Sequence, residues 1–362
     1  MPYLLGIDIG ANATKAAVCR RTGGRDDHGR RPAMPGADRP VWGPAQPVPL
    51  GVTARTVESA LALAPTGALV ATAGPGGGGD SVRGFLRQVG DDIPVRLGED
   101  CYPPHVLVAA MARWVVDTVC RLEEEAPERV AVAHPTGWGR GRLSLLRAAL
   151  DEAGLGGAAL VTRARAVAEN HLAAGRLPAT GGVLAVYRLG ASSTEVSLVV
   201  AREPGRWELL GSAECDEIGG LELQDAPPAE ARALLQATVD LALRTVRGCG
   251  LTPADLAAVL IAGGGAAGPL VAEVLAAAID VRVVRDDDPQ LSVACGAALA
   301  ARPQQPRQPG AELVLRPPVR ADPALPDATT ATWPEIGEVE RRPAERPPRP
   351  PVRVAALKVF RR

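Results

Sequence analysis

The sequence predicts a mixed α/β fold of two duplicated lobes followed by a tail. Three observations carry this: strand and helix signals alternate through residue 302, each half opens on a β-hairpin pattern, and proline accumulates after it. The 362 residues exceed the usual size of one domain, and hydrophobic residues at 46% can bury a sizeable core. Lysine and arginine number 40 against 41 aspartates and glutamates, and a net charge of −1 argues against a dedicated nucleic-acid binder. Aromatic residues make up only 3%, so the core must be built from Ala, Val and Leu, and platforms for stacking bases are scarce.

Taken in order, residues 3–9 read as a buried strand ending at Gly10, with 15–20 as its hairpin partner. Residues 21–50, rich in Gly, Pro, Arg and Asp, predict a long loop, and Gly74 to Gly79 a flexible break. Leu107, Met111, Val115, Val119 and Leu122 recur at helical spacing, predicting an amphipathic helix up to Glu125, and 129–133 a short strand. Leu143, Leu146, Ala149 and Leu150 mark a helix that stops near Gly154. Strands at 183–187 and 195–200 form the second hairpin. After it come a helix at 229–248, a strand at 259–262, a glycine loop, a helix at 269–278, a strand at 281–284 and a last helix ending near Ala301. Lobe I is assigned to 1–180, lobe II to 181–302 and the tail to 303–362. From Pro303 onward, 13 of the 34 prolines stand among arginines, predicting a disordered, partly polyproline II tail that serves as a partner contact or a solubilising appendage.

The six cysteines (Cys19, Cys101, Cys120, Cys215, Cys249, Cys295) form no CxxC pair and read as small, reduced, buried thiols of a cytoplasmic chain. A basic n-region is missing from the start, and no apolar run reaches about 18 residues, so neither a signal peptide nor a membrane span is predicted. His28, His105, His134 and His171 lack ligand spacing, and Asp286-Asp287-Asp288 reads as a solvated turn rather than a metal site.

Three elements can carry chemistry. Gly6-Ile7-Asp8-Ile9-Gly10-Ala11-Asn12-Ala13-Thr14-Lys15 sets a carboxylate at a strand end beside a glycine turn, where backbone amides can approach a phosphate and Asp8 can hold hydrated Mg²⁺. An ordinary hairpin with an exposed Asp is the competing reading for this element alone. Lys15, one of only two lysines with Lys358, contacts phosphate or faces solvent. Arg188-Leu189-Gly190-Ala191-Ser192-Ser193-Thr194-Glu195 offers a second clamp of small and hydroxyl residues, and Gly263-Gly264-Gly265 before a helix suits a nucleoside and phosphate.

In this order the elements resemble the nucleotide-binding domain of the DnaK-type heat-shock chaperones, within the actin and sugar-kinase superfamily. Residues 6–18 resemble its first phosphate motif, 130–155 the connecting segment, 187–198 the second phosphate motif, and 261–269 with 293–298 the adenosine motif and closing helix. The resemblance spans residues 3–302 and implies a two-lobed actin-like ATPase fold binding ATP or ADP with Mg²⁺. Asp8 would hold the metal, and Gly10, Ala11, Asn12, Thr14, Lys15, Arg188, Gly190, Ser192 and Ser193 would clamp the phosphates. Gly263, Gly264 and Gly265 would approach the nucleoside, and a water between Asp8 and Glu195 would attack the terminal phosphate.

Departures from the family pattern modify that expectation. Arg188 stands where the family places a metal-side Asp, Arg163 where it has a Glu linked to catalysis, and Ala267 where an arginine stacks on adenine. Either Arg188 contacts phosphate as a cation or the site has abandoned Mg²⁺ and hydrolysis. Only about 40 residues separate Gly220 from Gly263, so the outer part of lobe II is expected to shrink to one or two helices, and no peptide-binding domain follows Ala301. The resulting expectation is a chaperone-like ATP-binding protein with weak or absent hydrolysis, reaching protein partners through its lobes or tail, with no nucleic-acid partner and no membrane span. The alternatives are a pseudo-ATPase scaffold that binds no nucleotide and a small-molecule kinase of the same superfamily.

Overall fold

The computed structural model describes residues 1–22, 41–51, 54–72, 81–177, 181–203 and 205–303, all within one unit of the chain. The first half runs β1 (Tyr3–Ile9), β2 (Ala13–Thr22), β3 (Val41–Val48), β4 (Thr56–Glu58), β5 (Ala60–Leu63), β6 (Leu69–Ala71), β7 (Ser81–Arg83), β8 (Val95–Leu97), β9 (Asp100–Tyr102), α1 (Pro104–Glu123), β10 (Arg129–His134), α2 (Arg140–Glu152), β11 (Ala159–Thr162) and α3 (Arg163–Ala173). The second runs β12 (Val183–Leu189), β13 (Thr194–Glu203), β14 (Arg206–Cys215), α4 (Gly220–Asp225), α5 (Pro228–Gly248), β15 (Leu256–Ala262), α6 (Pro269–Ala278), β16 (Val283–Arg285) and α7 (Ser292–Ala300).

Every residue of β1 is buried, as a central strand with both faces covered demands. It pairs antiparallel with β2 and parallel with β10, giving the order β11-β10-β1-β2-β3, with β4 also on β2. The second sheet repeats the arrangement as β14-β13-β12-β15-β16: a three-stranded antiparallel meander, then two parallel strands reached by helical crossovers. The repeat extends to register. Asp8 pairs with Lys15 and Ile9 with Thr14 in the first hairpin; Arg188 pairs with Glu195 and Leu189 with Thr194 in the second. Matching positions thus carry opposite charges.

Three apolar clusters hold these layers. One joins the first sheet to α1 and α2, another joins the second sheet to α5 and α6, and the third lies between the sheets around α3 and α7. With so few aromatic residues, the buried core of that middle layer is nearly half alanine, the rest Leu, Val and Cys, and the layer gains contact by close backbone approach rather than by large side chains. A Cβ at Gly296 of α7 would stand 1.6 Å from the Ala166 carbonyl oxygen of α3, and one at Gly6 of β1 2.1 Å from the Ala298 nitrogen. So α7, which follows the second sheet in sequence, lies on the first.

Several sequence expectations are corrected. The predicted loop at 21–50 contains the strand β3, whose glycine and two prolines disguised it. It is tolerated because β3 is an edge strand and Pro44 falls where the register with β2 shifts. The strand β14 and the helix α3, neither marked by a clear period, are also present. Between Gly220 and Gly263 lie the helices α4 and α5, followed by β15. The expected break at residues 74–79 and the tail beyond Pro303 lie outside the described residues. No helix among the described residues is long and apolar enough to cross a membrane.

Candidate functional site

The two hairpin turns are built alike. The Gly10 amide donates to the Ala13 carbonyl at 3.0 Å, and the Gly190 amide to the Ser193 carbonyl at 2.8 Å. The amides of Ala11, Asn12, Ala191 and Ser192 donate to no acceptor among the described residues. The glycine loop packs against the second turn backbone to backbone. Gly263 has φ +96° and a Cβ there would lie 2.2 Å from the Leu189 carbonyl oxygen, so both conformation and space require glycine. The start of α4 joins them, its Gly220 amide donating to the Gly190 carbonyl at 2.8 Å.

Two cavities flank these turns. A chamber of about 180 Å³ is lined by Asn12, Lys15, Arg188, Gln224, Gly264 and Gln290 among others, and by no aspartate or glutamate among the described residues. A larger one of about 470 Å³ lies beside Arg87, Trp138, Arg142, Arg163, Arg188 and Ser192. Arg188 lines both. Arg87 reaches across to the second turn, donating to the Asp216 carbonyl at 3.0 Å and to Ser192 Oγ at 3.3 Å.

Behind the lining sits Asp8, buried and facing neither cavity. Arg163 Nε donates to its Oδ1 at 3.2 Å, and Lys15 Nζ stands 3.5 Å from its Oδ2. Arg163 also donates through Nη2 to the Ile9 carbonyl at 2.8 Å. Burial alone would raise the Asp8 carboxyl, but Lys15, Arg163 and Arg188 together hold it below its ordinary value. The Lys15 ammonium is pushed down by burial despite the attraction of Asp8, with Arg188 and Arg163 adding to the shift. Arg188 is pushed down as well, by burial first and then by Arg163.

Glu195 is bound elsewhere. Its Oε1 accepts from the Thr136 hydroxyl, from the Thr136 amide at 3.4 Å and from Ser197 Oγ at 3.4 Å, while Oε2 is buried without a partner. Thr136 Oγ1 in turn accepts from the Ala164 amide at 3.1 Å, tying β13 to the start of α3. Glu214, beside Glu195 in the sheet register, has its carboxyl pushed up by partial desolvation and then by Glu195 and Asp216.

The structure therefore brings together Asp8, Lys15 and Arg188, and sets Gly10, Ala11, Asn12, Gly190, Gly264 and Gly265 around the smaller chamber. Ser192 and Ser193 line the larger cavity. Thr14 is buried against Ser59 Oγ at 2.8 Å, and Gly263 is packed on Leu189, so these two and Glu195 line neither cavity. Sequence reasoning missed Arg87, Thr136, Arg142, Gln224 and Gln290, which enter the site through tertiary contact between segments far apart in the chain. It also misjudged Asp286. Rather than sitting in a solvated turn, its buried carboxylate accepts from Asn170 Nδ2 at 2.7 Å and from Ser292 and Arg176.

These residues do not fit a divalent cation. Asp8, the carboxylate assigned to Mg²⁺ from the sequence, has a cationic nitrogen at each oxygen and opens onto neither cavity. No group of three or more His, Cys, Asp or Glu side chains placed to hold a metal occurs among the described residues. No family model and no curated protein matches this chain.

Proposed function

We propose that this chain has the two-lobed actin-like ATPase fold, resembles the DnaK-type nucleotide-binding domain, and binds ATP or ADP between its two hairpin turns with weak or absent hydrolysis. The observation that carries this reading is the repeated sheet order, which sets the turns at Gly10 and Gly190 and the loop at Gly264 around one chamber. Free amides in two facing turns, with a buried cation beneath them, suit phosphate oxygens. Slow turnover follows from the same chamber: it offers no carboxylate to orient a water, and Glu195 is engaged by Thr136.

A second reading, a pseudo-ATPase scaffold that binds no nucleotide, is favoured by chamber size. About 180 Å³ falls below the roughly 300–1,000 Å³ typical of small-molecule sites. Calorimetry of the full chain with ATP and ADP separates the two, followed by a phosphate-release assay. Saturable heat with little phosphate released supports the first reading. Absence of binding at high micromolar protein supports the scaffold, and fast release of phosphate overturns both.

A further inference from the structure

Arg188 is a buried cation without a bonded partner among the described residues. Its residue is 5% exposed, its Nε has no partner, and it makes no hydrogen bond or ion pair among the described residues. Its cross-strand neighbour Glu195 is turned to Thr136 and Ser197 instead. The guanidinium lies beneath the second turn, where a Cβ at Gly190 would stand 3.0 Å from Nη1, and it borders both cavities. Lys15 borders the smaller cavity and Arg163 the larger; both pair with Asp8, while Arg188 feels Asp8, Glu195 and Glu214 without bonding to any of them. Burying an unpaired cation is unfavourable, and an anion delivered to the cavities would supply the missing partner.

We propose that Lys15, Arg163 and Arg188 form a metal-independent anion site that binds a polyphosphate group directly, the cations supplying the positive charge a divalent ion would otherwise bring. This rests on the reading of the cleft as the phosphate site. Arg188 provides a planar fork for two phosphate oxygens, Lys15 a point charge beneath the first turn, and Arg163 holds Asp8 back from the cavity. The carboxylates of Glu195 and Glu214 oppose the anion. Glu195 is hydrogen-bonded to Thr136 and Ser197, and Glu214, Asp91 and Asp216 lie on the larger cavity, so the anion is held at the Arg188 and Lys15 side, where the smaller chamber has no carboxylate in its lining among the described residues. The source of the polyphosphate is either a nucleotide or inorganic tripolyphosphate, which present the same chemistry to the cations.

The test is calorimetry on the full chain with ATP and with tripolyphosphate, each in EDTA and again in excess Mg²⁺. The expected result is binding in EDTA that weakens in Mg²⁺, because the ion competes for the same oxygens. R188M is expected to lose affinity by at least about tenfold while melting no lower than the parent, and K15M to lose affinity as well. ATP that binds only with Mg²⁺ overturns the inference and leaves the proposed function standing. Binding in EDTA that neither variant weakens also overturns it. Tripolyphosphate binding as tightly as ATP supports the cation site and removes the nucleoside from the proposed function. If neither ligand binds under either condition, both fall.

Discussion

Arg163 Nε and Asp8 Oδ1 meet at 3.2 Å, both side chains buried, across 155 residues of sequence. The contact joins the first residue of α3 to the penultimate residue of β1, and it makes Asp8 the sole anion paired with either Lys15 or Arg163 among the described residues. Removing that anion leaves buried cations facing one another. D8N should cost about 3–5 kcal/mol of stability in denaturant titration. R188M should cost little or stabilise, since it removes an unpartnered buried cation. The double variant should recover part of the D8N loss, and strict additivity would show that Arg188 does not feel Asp8.

The contact of α3 with α7 depends on the absence of a side chain at Gly296. With a Cβ placed 1.6 Å from the Ala166 carbonyl oxygen, the two helices must separate. G296A is expected to destabilise by about 1–3 kcal/mol or more. G248A is the control: nothing lies within 4 Å of its added methyl at the end of α5, and its effect should stay within about 1 kcal/mol. Equal melting points for the two variants would contradict the close approach.

Buried histidines set an acid limit on stability. His134 and His171 are both pushed below the ordinary 6.5, first by burial. The unfolded chain therefore takes up protons at the ordinary value while the folded chain does not, and stability is lost as pH falls from about 6.5 toward the lower folded values. Asp8 moves in the other sense. Its contribution persists above the ordinary 3.8 and is lost only as pH falls below it, so it does not add to this window. Melting points measured from about pH 8 to pH 5 should decline below pH 6.5, less steeply for His171→Leu; a flat profile would contradict neutral burial.

Asp286 closes the junction between α3 and α7 by accepting from Asn170, Arg176 and Ser292. D286A leaves a buried hydroxyl and a half-buried amide unpaired, with an expected loss of about 1–3 kcal/mol in chemical denaturation. An unchanged midpoint would return Asp286 to the role of a surface turn.

Local periodicity made the two hairpins, the helix α1, the helix α5 and the glycine turns legible, because each is specified by residues a few positions apart. The edge strand β3 was hidden by prolines that only its place at the sheet margin and its register shift accommodate. By itself the sequence determined the two hairpins, α1, α2, α5, α6 and α7 and their order, and it placed Asp8, Lys15 and Arg188 at strand ends, whereas β3, β14 and α3, with Arg163 at its start, came only from the structure. It could not say that Asp8 would be sealed behind the other three. Tertiary structure decided that, by packing α3 and α7 through glycine and alanine until Arg163 reached β1, so that a carboxylate read as a metal ligand became the counter-ion of a buried cationic cluster. The physical reason is that charge pairing inside a protein is fixed by distances of a few ångströms between segments far apart in the chain, and no local pattern records them.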